Sequence, residues 1–377
     1  MNRILLILCA LLLTNTNAQA QPTLKPSTIT SGLEHPWAVA FLPDGKFLVT
    51  ERPGRIRLVE ANGKLNTPLL GAPEVVARGQ GGMLDVITDS AFTQNRTIYF
   101  CYAEPASVTE IGSNANSTAV ARASLSADNT RLENFKVLFR QLPRVQSNLH
   151  FGCRIVEAMK DGKPDGNLFI TLGDRFSRMD DAQTLDNHHG KIVRITKDGS
   201  IPAGNPFVGN PRAKPEIWSI GHRNLQGATL APDGTFWTHE HGPQGGDVLN
   251  RPQPGKNFGW PIITYGRNYG TGTKIGEATE RADIEPAIRT WVPSIAPSGM
   301  AFLTSDKYGK AWQGNLFVGA LRGQALYRVE LKDGKFVREE VLLQNLDERI
   351  RDVRQGPDGL LYLLTDAANG KLIRLLP

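Results

Sequence analysis

Cysteine is scarce in this chain: its 377 residues contain three, and Cys9 falls in an amino-terminal stretch that reads as a leader. Cys101 and Cys153 alone cannot build a disulfide framework, and the His and Cys spacing matches no four-ligand zinc pattern. The two fit either one bridge or a pair of buried free thiols. Clusters of Lys and Arg are missing as well. The formal charge is +6, the basic residues are dispersed and no aromatic residues interleave with them. That argues against nucleic acid as a partner and leaves two readings of the excess, plain solubility or an anionic small molecule as partner. The apolar run at 4–13 is too short to span a bilayer. Arg3 before it and the polar stretch ending Ala18-Gln19-Ala20 behind it fit a secretory signal cleaved after Ala20. More apolar residues follow Cys9, which argues against a lipoprotein anchor there. Cleavage removes Arg3 and leaves 42 Lys+Arg against 37 Asp+Glu. The mature chain is expected to be periplasmic or secreted, with no membrane insertion. No linker divides the remainder, so 21–377 reads as one domain.

What is present is a recurring strand signature. Turn residues ending in Gly precede an apolar strand at Leu42-Pro43-Asp44-Gly45-Lys46-Phe47-Leu48-Val49, Lys163-Pro164-Asp165-Gly166-Asn167-Leu168-Phe169-Ile170, Ala231-Pro232-Asp233-Gly234-Thr235-Phe236-Trp237 and Gly356-Pro357-Asp358-Gly359-Leu360-Leu361-Tyr362-Leu363. Degenerate copies lie at Thr97-Ile98-Tyr99-Phe100 and Gln313-Gly314-Asn315-Leu316-Phe317-Val318. Pro presets φ at the second turn position, Gly accepts φ > 0, and the alternation that follows reads as a half-buried strand. A second apolar run follows most copies, as at 54–59 and 370–375, which makes the units hairpins. Six units of roughly 60 residues accommodate four strands each plus long loops. The expected fold is therefore all-β, a six-bladed β-propeller; a pair of β-sandwiches is the alternative. Gly/Pro/Asn-rich stretches at 200–215 and 242–275 fall between strand units, where long loops on a rigid scaffold tend to carry binding groups.

Several loops carry chemistry. His150, just ahead of the apolar Ile155-Val156, is a general-base candidate, because a neutral imidazole titrates near neutrality; a lone His is more often structural. Arg223 and Asn224 set two donors side by side, suited to a substrate or cofactor oxygen. Their plain alternative is a surface salt bridge. In Glu240-His241-Gly242-Pro243-Gln244-Gly245-Gly246-Asp247, glycine-rich backbone exposes carbonyls beside carboxylates, a donor set for a hard cation of the calcium type. Arg349 and Arg351 share one face of an extended segment. With Arg322 from the neighbouring unit they would make a site for a ligand with several carboxylates, against the plainer reading of alternating surface charge.

Six segments in order carry a family resemblance: Gln80-Gly81-Gly82-Met83-Leu84-Asp85, His150-Phe151-Gly152-Cys153-Arg154, 221–227, 240–247, Pro293-Ser294-Ile295-Ala296-Pro297-Ser298-Gly299-Met300, and Arg349-Ile350-Arg351-Asp352. Together they resemble the soluble PQQ-dependent aldose sugar dehydrogenases of the glucose/sorbosone dehydrogenase family, from about 31 to 376. The resemblance implies a propeller with pyrroloquinoline quinone (PQQ) lying flat over the central opening. It assigns His150 and Arg223 as catalytic, His150 as the base for the anomeric hydroxyl, and sets both with Asn224 against the cofactor, Arg223 and Asn224 at the quinone carbonyls. Arg322, Arg349 and Arg351 fall to the cofactor carboxylates, and Gln80 to the pocket rim. Gly242 and Pro243 would hold Ca²⁺ through their carbonyls. An aldose substrate and an external electron acceptor, whether a cytochrome, a quinone-linked carrier or a dye, follow from it.

Three positions depart from the family pattern. Cys153 stands where many relatives have Gly, Leu149 occupies a position that is acidic in the glucose dehydrogenase branch, and Val248 replaces a Glu associated with a second, structural calcium. A calcium-dependent propeller lactonase or esterase and a non-catalytic binding propeller are the other function classes such a chain would fit. The first would need side-chain carboxylates and amides converging on a central ion.

Overall fold

A computed structural model describes residues 23–107 and 114–377; the expected signal segment at 1–20 lies outside them. The described residues form six four-stranded antiparallel sheets, each built from strands consecutive in sequence except the last. This is the expected six-bladed propeller, and a pair of sandwiches is ruled out. In the sixth blade the outermost strand is the amino-terminal Lys25–Leu33, paired from Lys25↔Leu376 to Leu33↔Gly370 with the carboxy-terminal strand Gly370–Leu376. The two ends of the described chain are thus hydrogen-bonded to each other within one blade, which closes the ring.

The six innermost strands are Pro36–Phe41, Met83–Thr88, Gly152–Lys160, Leu225–Leu230, Pro297–Phe302 and Ile350–Gln355. Every copy of the sequence signature leads into the second strand of its blade: Phe47–Glu51, Thr97–Pro105, Lys163–Leu172, Phe236–Glu240, Leu316–Ala320 and Leu361–Thr365. These strands are not half-buried as the alternation implied. Four of the six are buried along their full length, because neighbouring blades pack face to face and cover both sides. One turn also differs. Lys160 pairs with Lys163 and Met159 with Pro164, so the tight turn is Asp161-Gly162, both at positive φ, and Pro164-Asp165-Gly166 lies within the strand.

On the axis, halves of the sequence motifs form a buried charge network. Arg154 lies 3.2 Å from Asp85 and 2.9 Å from Asp352, and Arg354 lies 2.6 Å from Asp85 and 3.0 Å from Asp352. Asp352 also accepts from the backbone N–H of Val39, and Arg154 donates to the carbonyl of Gln226. Five inner strands are stapled at one level. Each charge has a partner, so removing one member strands the others in low dielectric. Asp85→Ala is expected to cost about 3–5 kcal/mol of stability, to be checked by denaturant unfolding against Leu70→Ala, which alters an exposed side chain.

Candidate active site

Inner strands of all blades start at the same mouth of the ring, and second strands, running antiparallel, end there. Gln80, His150, Arg223, Asn224 and Arg349 each stand just before an inner strand, and Arg351 is the second residue of its own. The topology therefore gathers residues from four blades around one opening. A cavity of about 230 Å³ sits there, with Arg52, Gln80, Asn224, Gln226, Arg349 and Arg351 in its wall. Phe151 and Gly152, which follow His150, line it as well.

His150 is held from both sides. Its backbone N–H donates to Gln80 Oε1 at 2.8 Å, and its Nδ1 lies 2.6 Å from Asp174 Oδ1. Asp174 accepts further hydrogen bonds from Trp260 Nε1 (2.7 Å) and the Phe176 backbone N–H (2.8 Å). Desolvation opposes its ionisation, but His150, Arg223 and the backbone donor prevail and hold this carboxyl below its ordinary range. An ionised carboxylate only accepts, so Nδ1 carries the proton and Nε2 keeps its lone pair. Burial pushes the His150 pKa down; Asp174 resists this, and Arg223 and Arg175 add to it. The imidazole is thus neutral at pH 7. Its backbone adopts φ +50°, and Gly173 makes room, since a Cβ there would lie 2.0 Å from the His150 carbonyl oxygen. Phe176, half exposed, sets its ring edge-on to the imidazole at 5.2 Å.

Arg223 is 5 % exposed. Its Nη1 donates to the carbonyls of Gly242 (2.7 Å) and His241 (3.1 Å), and its backbone N–H donates to the Glu240 carboxylate. Its Nε has no hydrogen-bond partner among the described residues. Asn224 turns its Oδ1 toward the Gly152 N–H (3.3 Å) and Gln226 Nε2 (3.1 Å). Arg351 and Arg349 both reach Asp366 Oδ2, at 2.7 and 3.3 Å. Desolvation works against that carboxyl's ionisation, yet the two guanidiniums depress its pKa strongly. Arg351 Nε is buried with no hydrogen-bond partner among the described residues. Arg322 is placed differently: its side chain is exposed, and it is Leu321 that faces the cavity.

The Gly242-Pro243 turn is a tight one. A Cβ at Gly242 would meet the Gly245 carbonyl oxygen at 2.3 Å. The Gly242 N–H donates to Asp247 Oδ1 at 2.9 Å, and Asp247 Oδ2 accepts from Ser294 Oγ and from the N–H groups of Ile295 and Ala296. Both carbonyls of interest already have donors, Arg223 on Gly242 and the Tyr269 hydroxyl on Pro243 at 2.9 Å. Among the described residues no cluster of three or more His, Cys, Asp or Glu is arranged for a metal. Val248 lines a second cavity of about 420 Å³ that also touches His241, Arg223 and Gly242. Cys101 and Cys153 are buried free thiols rather than a bridge; the Cys101 thiol donates to the Cys153 carbonyl, 3.6 Å away.

Sequence reasoning missed Arg52, Asp174 and Asp366. Each follows the end of a second strand, the position that topology sends to this mouth.

Fold and site define a six-bladed propeller with an arginine-walled cavity at one mouth of its ring, lined by the two residues that follow His150. The Glucose / Sorbosone dehydrogenase family model matches residues 33–374. The chain belongs to that family and is, with it, an oxidoreductase acting on sugars. It is 43% identical over 362 residues to the aldose sugar dehydrogenase YliI of Escherichia coli (strain K12), covering 95% of this chain and 94% of the relative. Among solved structures, the apo form of the soluble aldose sugar dehydrogenase from Escherichia coli superimposes with a TM-score of 0.88 at 42% identity, covering 94% of this chain and all of that one. The PQQ-bound aldose sugar dehydrogenase from Streptomyces coelicolor matches with a TM-score of 0.73 at 26% identity, over 94% of this chain and 99% of its own. No described helix is long and apolar enough to cross a membrane.

Proposed function

We propose that this protein oxidises aldose sugars at C1 to lactones with PQQ and Ca²⁺ bound at the cavity mouth, His150 taking the proton of the anomeric hydroxyl. The observation that carries this reading is the His150–Asp174 pair beside a cavity walled by arginines from separate blades. Its chemistry suits the cofactor. PQQ is a planar tricarboxylate, and Arg52, Arg349 and Arg351 supply cations, with Arg351 Nε a buried donor still in need of an acceptor. The carbonyls of Gly242 and Pro243 are hard oxygen donors of the kind calcium takes. Two oxygens leave most of its six to eight positions for cofactor and water, so the ion would bind together with the cofactor. Arg322 is exposed and next to the cavity-lining Leu321, and would add a further cation for a cofactor carboxylate.

When bound, the quinone supplies a two-electron hydride acceptor that the ion polarises. The protein's own part is positional and electrostatic. Asp174 fixes the imidazole tautomer, Nε2 accepts the hydroxyl proton as hydride leaves C1, and Arg223 and Asn224 place positive charge and an amide where the oxygen becomes anionic. The two electrons would be taken up by an external acceptor, a cytochrome, a quinone-linked carrier or a dye. Export past the inner membrane by the segment at 1–20 would place this chemistry in the periplasm or outside the cell.

Adding PQQ and Ca²⁺ to the purified apoprotein is expected to give dye-linked oxidation of mono- and disaccharide aldoses; cofactor binding without oxidation of any sugar in a broad panel would sink the reading. The pH profile follows from His150. Its folded-state pKa lies below the ordinary imidazole value, and catalysis needs the unprotonated ring. Hence kcat/KM is expected to hold as pH drops from 8 to about 6.5 and to fall about tenfold per unit only below the depressed value. Stopped-flow reduction rates across that range measure it.

A further inference from the structure

The oxygen atoms proposed to bind calcium are already hydrogen-bonded, each to a side chain that the fold aims at it. Gly242 O accepts from the Arg223 guanidinium at 2.7 Å and Pro243 O from the Tyr269 hydroxyl at 2.9 Å. Tyr269 does not arrive there by chance. The strand-like segment before it is bridged to the ion loop by reciprocal backbone hydrogen bonds between Gln244 and Arg267 (3.0 and 3.2 Å). The turn that carries Tyr269 is closed by Asn268 N–H to Thr273 O and Gly272 N–H to Asn268 O. Glycines let the two segments touch: a Cβ on Gly266 would lie 2.5 Å from Pro243, and one on Gly246 would lie 2.7 Å from the Gly266 nitrogen. The hydroxyl is thus delivered to a carbonyl oxygen while most of the ring stays in solvent, at 60 % exposure.

We propose that Tyr269 and Arg223 are internal stand-ins for the divalent cation, capping the two carbonyls in the ion-free protein and giving way when the ion enters. This rests on the reading of Gly242 and Pro243 as ion ligands. The two caps have the chemistry of the ion they replace: a buried carbonyl oxygen needs a positive partner, and a guanidinium or hydroxyl proton supplies one. A guanidinium and a divalent cation on one oxygen repel each other at short range. Loading the site therefore drives Arg223 off Gly242 O and frees its donors for the ligand beside His150. Tyr269 is a positioning residue here, acting on the ion through the Pro243 carbonyl. Because the ion competes with the caps, its apparent affinity is reduced by the fraction of protein that is capped.

The test is Tyr269→Phe in the full chain, which keeps the ring and removes only the hydroxyl. The Ca²⁺ dependence of PQQ binding, followed by cofactor absorbance, is expected to shift to about three- to tenfold lower Ca²⁺, the range set by one net hydrogen bond. Thermal unfolding gives a second readout. The variant should melt earlier than wild type without ion and cofactor and at the same temperature when both are bound. Unchanged or weaker Ca²⁺ dependence, or an equal loss of melting temperature in both states, would overturn the stand-in role and show an ordinary structural hydrogen bond. Wild-type protein whose PQQ binding ignores Ca²⁺ altogether would instead remove the ion-ligand reading, and this inference with it.

Discussion

His150→Ala in the PQQ- and Ca²⁺-loaded protein is expected to lower kcat for aldose oxidation by about 10²–10⁴-fold, the usual worth of a positioned general base. Cofactor affinity should change little. The ring touches Asp174 and Phe176, and the His150 contact to Gln80 is made by the backbone, which alanine retains. The φ of +50° at this position is the weak point of the substitution. Alanine tolerates the left-handed region poorly, so His150→Asn, which occupies it more readily, is the companion variant. Stopped-flow reduction of the bound cofactor, paired with an absorbance titration of PQQ, separates the chemical step from binding. A variant that reduces cofactor at the wild-type rate would remove His150 from the mechanism.

Arg351→Ala is expected to weaken PQQ binding by a factor of about 30 or more. Truncating one partner of a buried, hydrogen-bonded charge pair costs roughly 2–5 kcal/mol. Two losses combine. A cation 8 % exposed and facing the cavity disappears, and Asp366, previously held ionised by Arg351 and Arg349, is left to repel an incoming carboxylate. The double variant Arg351→Ala/Asp366→Asn should therefore bind PQQ better than Arg351→Ala alone. If the single variant binds PQQ as wild type does, the arginine pair is not the cofactor's carboxylate site. The more exposed Arg349 is expected to matter less, since water screens it.

The sequence revealed some of this arrangement clearly and hid the rest for definite reasons. Second strands announced themselves because a turn ending in Gly precedes an apolar run, as at Leu361–Thr365 and Leu316–Ala320, though nothing announced that both of their faces are covered. The closing strand Lys25–Leu33 gave no such signal. It is mostly exposed along one face, and its partner lies at the far end of the chain. Inner-strand starts were readable in the site because Gln80, His150, Arg223 and Arg349 sit in distinctive motifs. Second-strand ends were not: Arg52, Asp174 and Asp366 look like ordinary turn residues until the ring brings them opposite the motifs. Leu321, which no motif singled out, lines the cavity beside the exposed Arg322. The motifs also hold more than chemistry. Asp85, Arg154 and Asp352, which close three of them, form the axial staple under the cavity, so part of what reads as a catalytic signature is structural.

One flat polyanionic quinone, lying beside His150 and drawing electrons from a sugar, would use every part of this site. An anaerobic absorbance experiment tests this directly: apoprotein is mixed with PQQ and Ca²⁺, and an aldose is then added. The expected result is an oxidised-cofactor spectrum that converts to the reduced form with sugar, fast in wild type and slowed by orders of magnitude in His150→Ala. A cofactor spectrum that forms and is left unchanged by every aldose, or one reduced equally fast in the variant, would contradict it.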